Sequence, residues 1–217
     1  LRRGKAMLLR WFEYFSLFWL IPVLLYVFRE QTAPLIIPFI VLVALLCSCI
    51  LWRDEKLQKQ WQRAKNMKRK HLRPLWQTFA ILGLLIAAFT YIYTPDTFLD
   101  FPLNHTISWL AIIVVYPLLS VIPQEVIFRI YFFHRFKNLF ASKLSCAWLS
   151  SISFGFAHLI YGNWIAVVFS FFGGLIFSYR FIQTKSIAVV MIEHTMWGLF
   201  LFTIGLGSFF ITKPIYG

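Results

Sequence analysis

Acidic residues are scarce in this chain. Of its 217 residues only 8 are Asp or Glu, against 21 Lys or Arg, and the formal net charge is +13. A basic excess of this kind suits either nucleic acid or an anionic membrane surface. The basic residues cluster between apolar runs, which points to the inner leaflet of a membrane and away from nucleic acid. Cysteine is also sparse. Cys47, Cys49 and Cys146 all lie in apolar runs without the spacing of a zinc site, and they read as packing residues. There is no His-Glu-x-x-His, no Gly-x-Ser-x-Gly and no obvious Ser/Lys pair, so the usual signatures of zinc proteases and serine hydrolases are missing. No secretory signal with a cleavage site is recognisable. What is plentiful is apolar. Hydrophobic residues make up 60% of the chain and the mean hydropathy is +0.73, a composition that water-soluble domains do not have.

A helix needs about 20 apolar residues to cross a bilayer. On that rule the sequence predicts an all-α, polytopic membrane helix bundle of about seven spans, at 8–28, 34–52, 74–93, 107–134, 144–160, 164–179 and 187–206. The fourth is longer than a bilayer requires, so it must tilt or break, and Pro123 is the obvious place. Arg2, Arg3, Lys5 and Arg10 precede the first span, and nine Lys or Arg lie within 53–73. Arg135, Lys137 and Lys143 follow the fourth span, and Arg180 and Lys185 follow the sixth. All these loops agree on a cytoplasmic N-terminus, and the expected location is a bacterial inner membrane. Within 53–73, Leu57, Trp61, Ala64 and Met67 recur at helical spacing among charges, the pattern of a basic amphipathic helix lying on the membrane face. Small residues recur every fourth position in the fifth span (Ala147, Ser151, Gly155) and in the sixth (Ser170, Gly174, Ser178), which predicts close helix packing there.

Ionisable residues inside such spans are costly unless paired or used. Glu125 and Arg129 stand four apart in Pro123-Gln-Glu-Val-Ile-Phe-Arg129, on one helix face. They read either as a structural ion pair or as a carboxylate fixed for catalysis. Gln124, beside them, can hydrogen-bond but cannot act as a base. His158 and His194 lie in equally apolar company, with Glu193 next to the second as a supporting or purely structural partner. A Glu and two His on three helices have two uses in hydrolysis. They could hold a divalent metal such as zinc, or they could activate water with no cofactor, one His stabilising an oxyanion.

Glu125-x-x-x-Arg129, Phe154-x-x-x-His158 and the late His194 resemble, in this order, the three motifs of the CPBP intramembrane proteases, the family of the CAAX prenyl proteases and the bacterial Abi proteins. The similarity covers about 107–207 and divides the chain into N-terminal membrane helices with a basic loop (1–106) and a catalytic half (107–217). It implies an intramembrane endopeptidase in which water, activated by Glu and His, cuts a membrane-associated protein. Glu125 would then activate water with His158, Arg129 would fix Glu125, and His194 with Gln124 or Asn163 would hold the oxyanion or complete a metal site.

The chain departs from the family pattern twice. Gln124 stands where the first of two glutamates usually stands, and Gly198 stands where a late Asn is usual. If that first Glu is indispensable, either Glu125 has taken its role or the protein is an inactive scaffold or immunity factor. A proton-coupled transporter is a further rival, against which the missing inverted repeat counts. The depths from the inner basic residues also differ: about 14 Å for Glu125, about 12 Å for His194 and about 20 Å for His158, at 1.5 Å per residue. A single site therefore requires tilt, or a break near Gly155.

Overall fold

A backbone in lipid must satisfy its own hydrogen bonds, so long apolar runs cross as helices. The computed structural model describes residues 2–52 and 69–212, and among these it contains helices and turns with no strand. Six helices are long and apolar enough to span a bilayer: α1 (Met7–Val27), α2 (Arg29–Trp52), α3 (His71–Tyr93), α4 (Thr106–Arg135), α5 (Lys143–Tyr161) and α6 (Trp164–Thr184). A seventh apolar helix, α7 (Ile187–Thr203), has 17 residues, the lower limit for crossing. It is shorter than the run 187–206 predicts because Gly205 turns left-handed (φ 97°) just beyond it, and Leu206–Phe210 continues as a 3₁₀ turn. The protein is thus an all-α polytopic membrane bundle. Most of the predicted basic amphipathic segment at 53–73 lies outside the described residues; its last residues open the helix Arg69–Tyr93.

The long fourth span does not break at Pro123. It absorbs the proline in two π-helical turns, Pro117–Val121 and Val126–Tyr131, with the α-turn Ile122–Glu125 between them. Such turns are a common answer to a helix that must carry an extra residue, and they occur often at functional sites. Exposure changes along the helix. Leu110, Val114, Val115 and Leu118 are exposed as lipid-facing residues are, whereas Pro123–Phe132 is buried all round. The polar residues of this span are therefore held in protein and kept away from lipid.

The end of the bundle that holds Tyr14, Phe18 and Phe132 is aromatic. Phe18 of α1 meets Phe132 of α4 with ring centroids 5.0 Å apart, and Tyr14 meets Phe132 and Phe136 at 5.9 and 5.8 Å. Arg135 forks onto the Glu13 carboxylate at 2.7–3.0 Å, and Tyr131 donates to the same group. The small-residue stripes do bring α5 and α6 together. A Cβ on Gly155 would lie 2.9 Å from Val167 O, one on Gly174 would lie 3.0 Å from Ser151 Cα, and Ser151 and Ser178 share a hydrogen bond of 3.3 Å. Gly155 is thus a close-packing point, and α5 runs unbroken through it as α-helix to Ala157.

Candidate active site

Three elements carry the polar residues inward. Glu125 closes the α-turn between the two π-turns of α4 and is fully buried. His158 begins the 3₁₀ turn that ends α5, just before Gly162 (φ 71°). His194 lies mid-way along α7, 5% exposed. The structure joins Glu125 to both a cation and an imidazole: Arg129 Nε stands 3.2 Å from Oε2, and His194 Nδ1 stands 2.8 Å from Oε1. A carboxylate oxygen only accepts when ionised, so His194 donates through Nδ1–H and keeps its lone pair at Nε2.

Arg129 is held on its other side by Ser150 of α5. Its Nη1 lies 3.3 Å from Ser150 Oγ and from Phe128 O, and Ser150 donates to Phe128 O at 2.7 Å. Its guanidinium carbon lies 5.1 Å from the Phe154 ring and 5.7 Å from the Phe177 ring, and Phe177 stacks on His194 at 4.6 Å. Such contacts steady a cation out of water. His158 Nδ1 lies 2.7 Å from Phe154 O; the carbonyl can only accept, so this imidazole too carries its proton on Nδ1 and its lone pair on Nε2. Both histidines lie edge-on to one ring, Phe154, at 4.7 and 5.6 Å.

A cavity of about 720 Å³ opens among α2, α3, α4, α5, α6 and α7. Its walls are mainly Ile, Leu, Val and Phe; its polar lining includes His158, His194, Gln124, Tyr116 and Tyr161. Glu125 and Arg129 do not line it. They sit behind His194, so the carboxylate reaches the cavity through the imidazole. Gln124 Nε2 donates to Ser120 Oγ at 2.7 Å, while its Oε1 is buried with no hydrogen-bond partner among the described residues.

Two residues singled out in the sequence lie elsewhere. Asn163 caps α6: its Oδ1 accepts from Ala166 N at 2.8 Å and its Nδ2 donates to Phe209 O at 2.8 Å. Its amide is committed to the fold. Glu193 accepts a two-pronged contact from Arg180 of α6, at 2.9 and 2.8 Å, and both side chains are buried. It ties α6 to α7 on a different face from His194. Sequence reasoning missed Ser120, Ser150 and Tyr116. Ser120 carried a signal, standing four residues before Gln124 and so on its face; nothing in the pattern marked the other two.

The trio Glu125, His158 and His194 does not fit a resident metal ion as arranged. Glu125 Oε1 already receives His194 Nδ1, and the Arg129 guanidinium occupies its other side. Among the described residues no group of three or more His, Cys, Asp or Glu is gathered closely enough to hold an ion.

Comparison with known proteins adds one match. The family model described as type II CAAX prenyl endopeptidase Rce1-like covers residues 106–200, a stretch from the start of α4 into α7 that holds Glu125, His158 and His194. No curated protein and no solved structure matches the chain.

Proposed function

Through residues 106–200 the chain belongs to the Rce1-like family of CAAX-type intramembrane proteases, and from that premise we propose that it is an intramembrane endopeptidase that hydrolyses a peptide bond of a membrane-associated protein. The observation that carries this reading is the Glu125–His194 contact at 2.8 Å, behind a cavity that His158 also lines. His194 Nε2 takes a proton from water, and the water oxygen bonds to the scissile carbonyl carbon. Glu125 stabilises the imidazolium that forms, as a buried carboxylate does for a catalytic His. The C–N bond then breaks, with the proton passing from His194 to the departing amine. The water's other O–H donates to His158 Nε2, which aims its oxygen. In this scheme Glu125 acts through His194 and does not meet water itself, which removes the need for a second glutamate at position 124. No metal enters any step.

The catalytic half at 107–217 borrows cavity wall from the N-terminal half, through Ile37, Leu82 and Ile86. We propose further that the N-terminus lies on the cytoplasmic side of a bacterial inner membrane, an orientation the basic loops support. The rival is a non-catalytic scaffold, favoured by Gln124, which cannot exchange a proton. The test is cleavage by the purified protein in vesicles of two quenched probes, a farnesylated Cys-a-a-X peptide and a single-span membrane peptide. Product from either probe, lost in His194→Ala, supports the protease. No product from either, with a folded protein, leaves the scaffold.

A further inference from the structure

Peptide hydrolysis places negative charge on the carbonyl oxygen, and a site must offer that oxygen a hydrogen-bond donor. The donors at this cavity can be counted. Both imidazoles spend their N–H on internal acceptors, His194 on Glu125 and His158 on Phe154 O, and present lone pairs at Nε2. Gln124 spends its amide nitrogen on Ser120. Asn163 is committed to capping. The side-chain donors that remain on the cavity lining are the hydroxyls of Ser120 and Ser170, the Trp197 indole N–H and the phenols of Tyr116 and Tyr161, and of these the phenols are the ones whose rings pack beside the histidines. Neither makes a hydrogen bond through its hydroxyl to any described residue.

The two phenols are not equivalent. Tyr161 lies beside His158, with ring centroids 5.7 Å apart, and packs on Phe210. Tyr116 lies beside His194, edge-on at 6.1 Å, and packs on Phe202. Its hydroxyl enters a hole in α7: a Cβ on Gly198 would overlap Tyr116 Oη, Cζ and Cε1. Gly198 follows His194 by four residues, so a side chain there would stand on the same helix face as the base. That volume is given instead to a phenol reaching across from α4. The pair is reciprocal, since glycine at 198 admits the ring and the ring forbids any larger residue at 198.

We propose that Tyr116 is the oxyanion donor of this site, its hydroxyl filling, across from α4, the place that a polar side chain at position 198 would otherwise occupy. The inference rests on the protease reading. During attack on the carbonyl carbon at His194, the Tyr116 O–H points at the oxygen that gains charge and retains its proton throughout.

The test uses the full-length protein in vesicles with the two quenched probes above. Tyr116→Phe keeps the ring, and so the packing against Gly198, and removes only the donor. The expected result is a fall in kcat of about 10²–10³-fold with KM within a few-fold, the loss typical of one oxyanion donor. Tyr179→Phe, at an exposed phenol outside the cavity lining, serves as the comparison and should stay within about threefold. A rescue separates chemistry from packing. Tyr116→Ala opens the hole and loses activity; adding Gly198→Asn, which brings a small amide donor into the vacated volume, should recover at least tenfold. Adding Gly198→Ala, which brings a Cβ and no donor, should recover nothing. If Tyr116→Phe cleaves like the wild type, or if both double variants recover alike, Tyr116 is a packing residue and the protease reading survives. If the wild type cleaves neither probe, both readings fall together.

Discussion

His194 and Glu125 lie 69 residues apart in sequence and meet at 2.8 Å, with the glutamate fully buried and Arg129 3.2 Å from its other oxygen. A buried carboxylate between a guanidinium and an imidazole is a device for orienting and charging the imidazole, at the expense of isolating the carboxylate from water. Glu125→Gln keeps the size and one acceptor oxygen. It removes the charge that stabilises an imidazolium and can also reverse the tautomer of His194. Cleavage should fall by about 10³–10⁴-fold in kcat, as when the carboxylate of a Ser-His-Asp triad is neutralised. The check is single-turnover cleavage in vesicles, with substrate binding measured separately and expected to be unchanged.

The same substitution should weaken the fold for a different reason. Arg129 is fully buried and its counter-charge is Glu125. Breaking a buried ion pair from one side costs about 3–5 kcal/mol, whereas replacing both partners by neutral groups of similar volume is often close to neutral. Glu125→Gln should therefore lower the thermal unfolding midpoint in detergent, and adding Arg129→Met should restore most of it. The double variant should stay inactive. Recovery of cleavage along with stability would mean that Glu125 serves the fold alone.

The bundle itself was legible because lipid leaves the chain few choices. Runs of about 20 apolar residues give spans. The residues of the site were legible one at a time, since a carboxylate or imidazole in an apolar run stands out. Their mutual roles were not. That Glu125 faces His194 instead of the cavity depends on how far two π-turns rotate α4, and hydropathy carries no trace of such turns. The depth of His158 calls for tilt or a break near Gly155; the helix does not break there, and the glycine serves contact with α6. Asn163 looked free because a cap and a ligand have the same residue preference; only the Ala166 N–H and Phe209 carbonyl show which it is. Arg180 looked like an inner loop cation, yet it is 6% exposed and paired with Glu193.

The α5–α6 contact gives a packing prediction. A Cβ on Gly155 would lie 2.9 Å from both Val167 O and Phe171 Cβ, and a backbone carbonyl cannot move aside as a side-chain end can. Gly155→Ala should cost about 1–3 kcal/mol through overpacking, and Gly155→Leu should prevent stable folding. Gly173 offers a comparison: a Cβ there would meet only the Phe177 ring at 3.5 Å, which is ordinary contact. Gly173→Ala should leave the unfolding midpoint within a degree or two of the wild type. Equal effects at the two glycines would show that helix propensity, and not approach distance, decides both.

The Arg180–Glu193 pair predicts the opposite split from Glu125. It stands about 100° round α7 from His194 and locks α6 to α7 through two charge-assisted bonds of 2.8–2.9 Å. Glu193→Gln removes the charge but leaves an amide able to accept one of the Arg180 donors. It should lower stability by about 3 kcal/mol while the folded fraction cleaves with an unaltered kcat. Substituting both partners, as Arg180→Met with Glu193→Leu, should recover stability and leave catalysis intact, because nothing in the reaction passes through this pair. The measurement is kcat per folded molecule, with the folded fraction counted by thermal unfolding of the same sample. A fall in kcat of more than tenfold in the stable double variant would bring Glu193 into the chemistry, acting on its neighbour His194 through the α7 backbone or through the field of its charge.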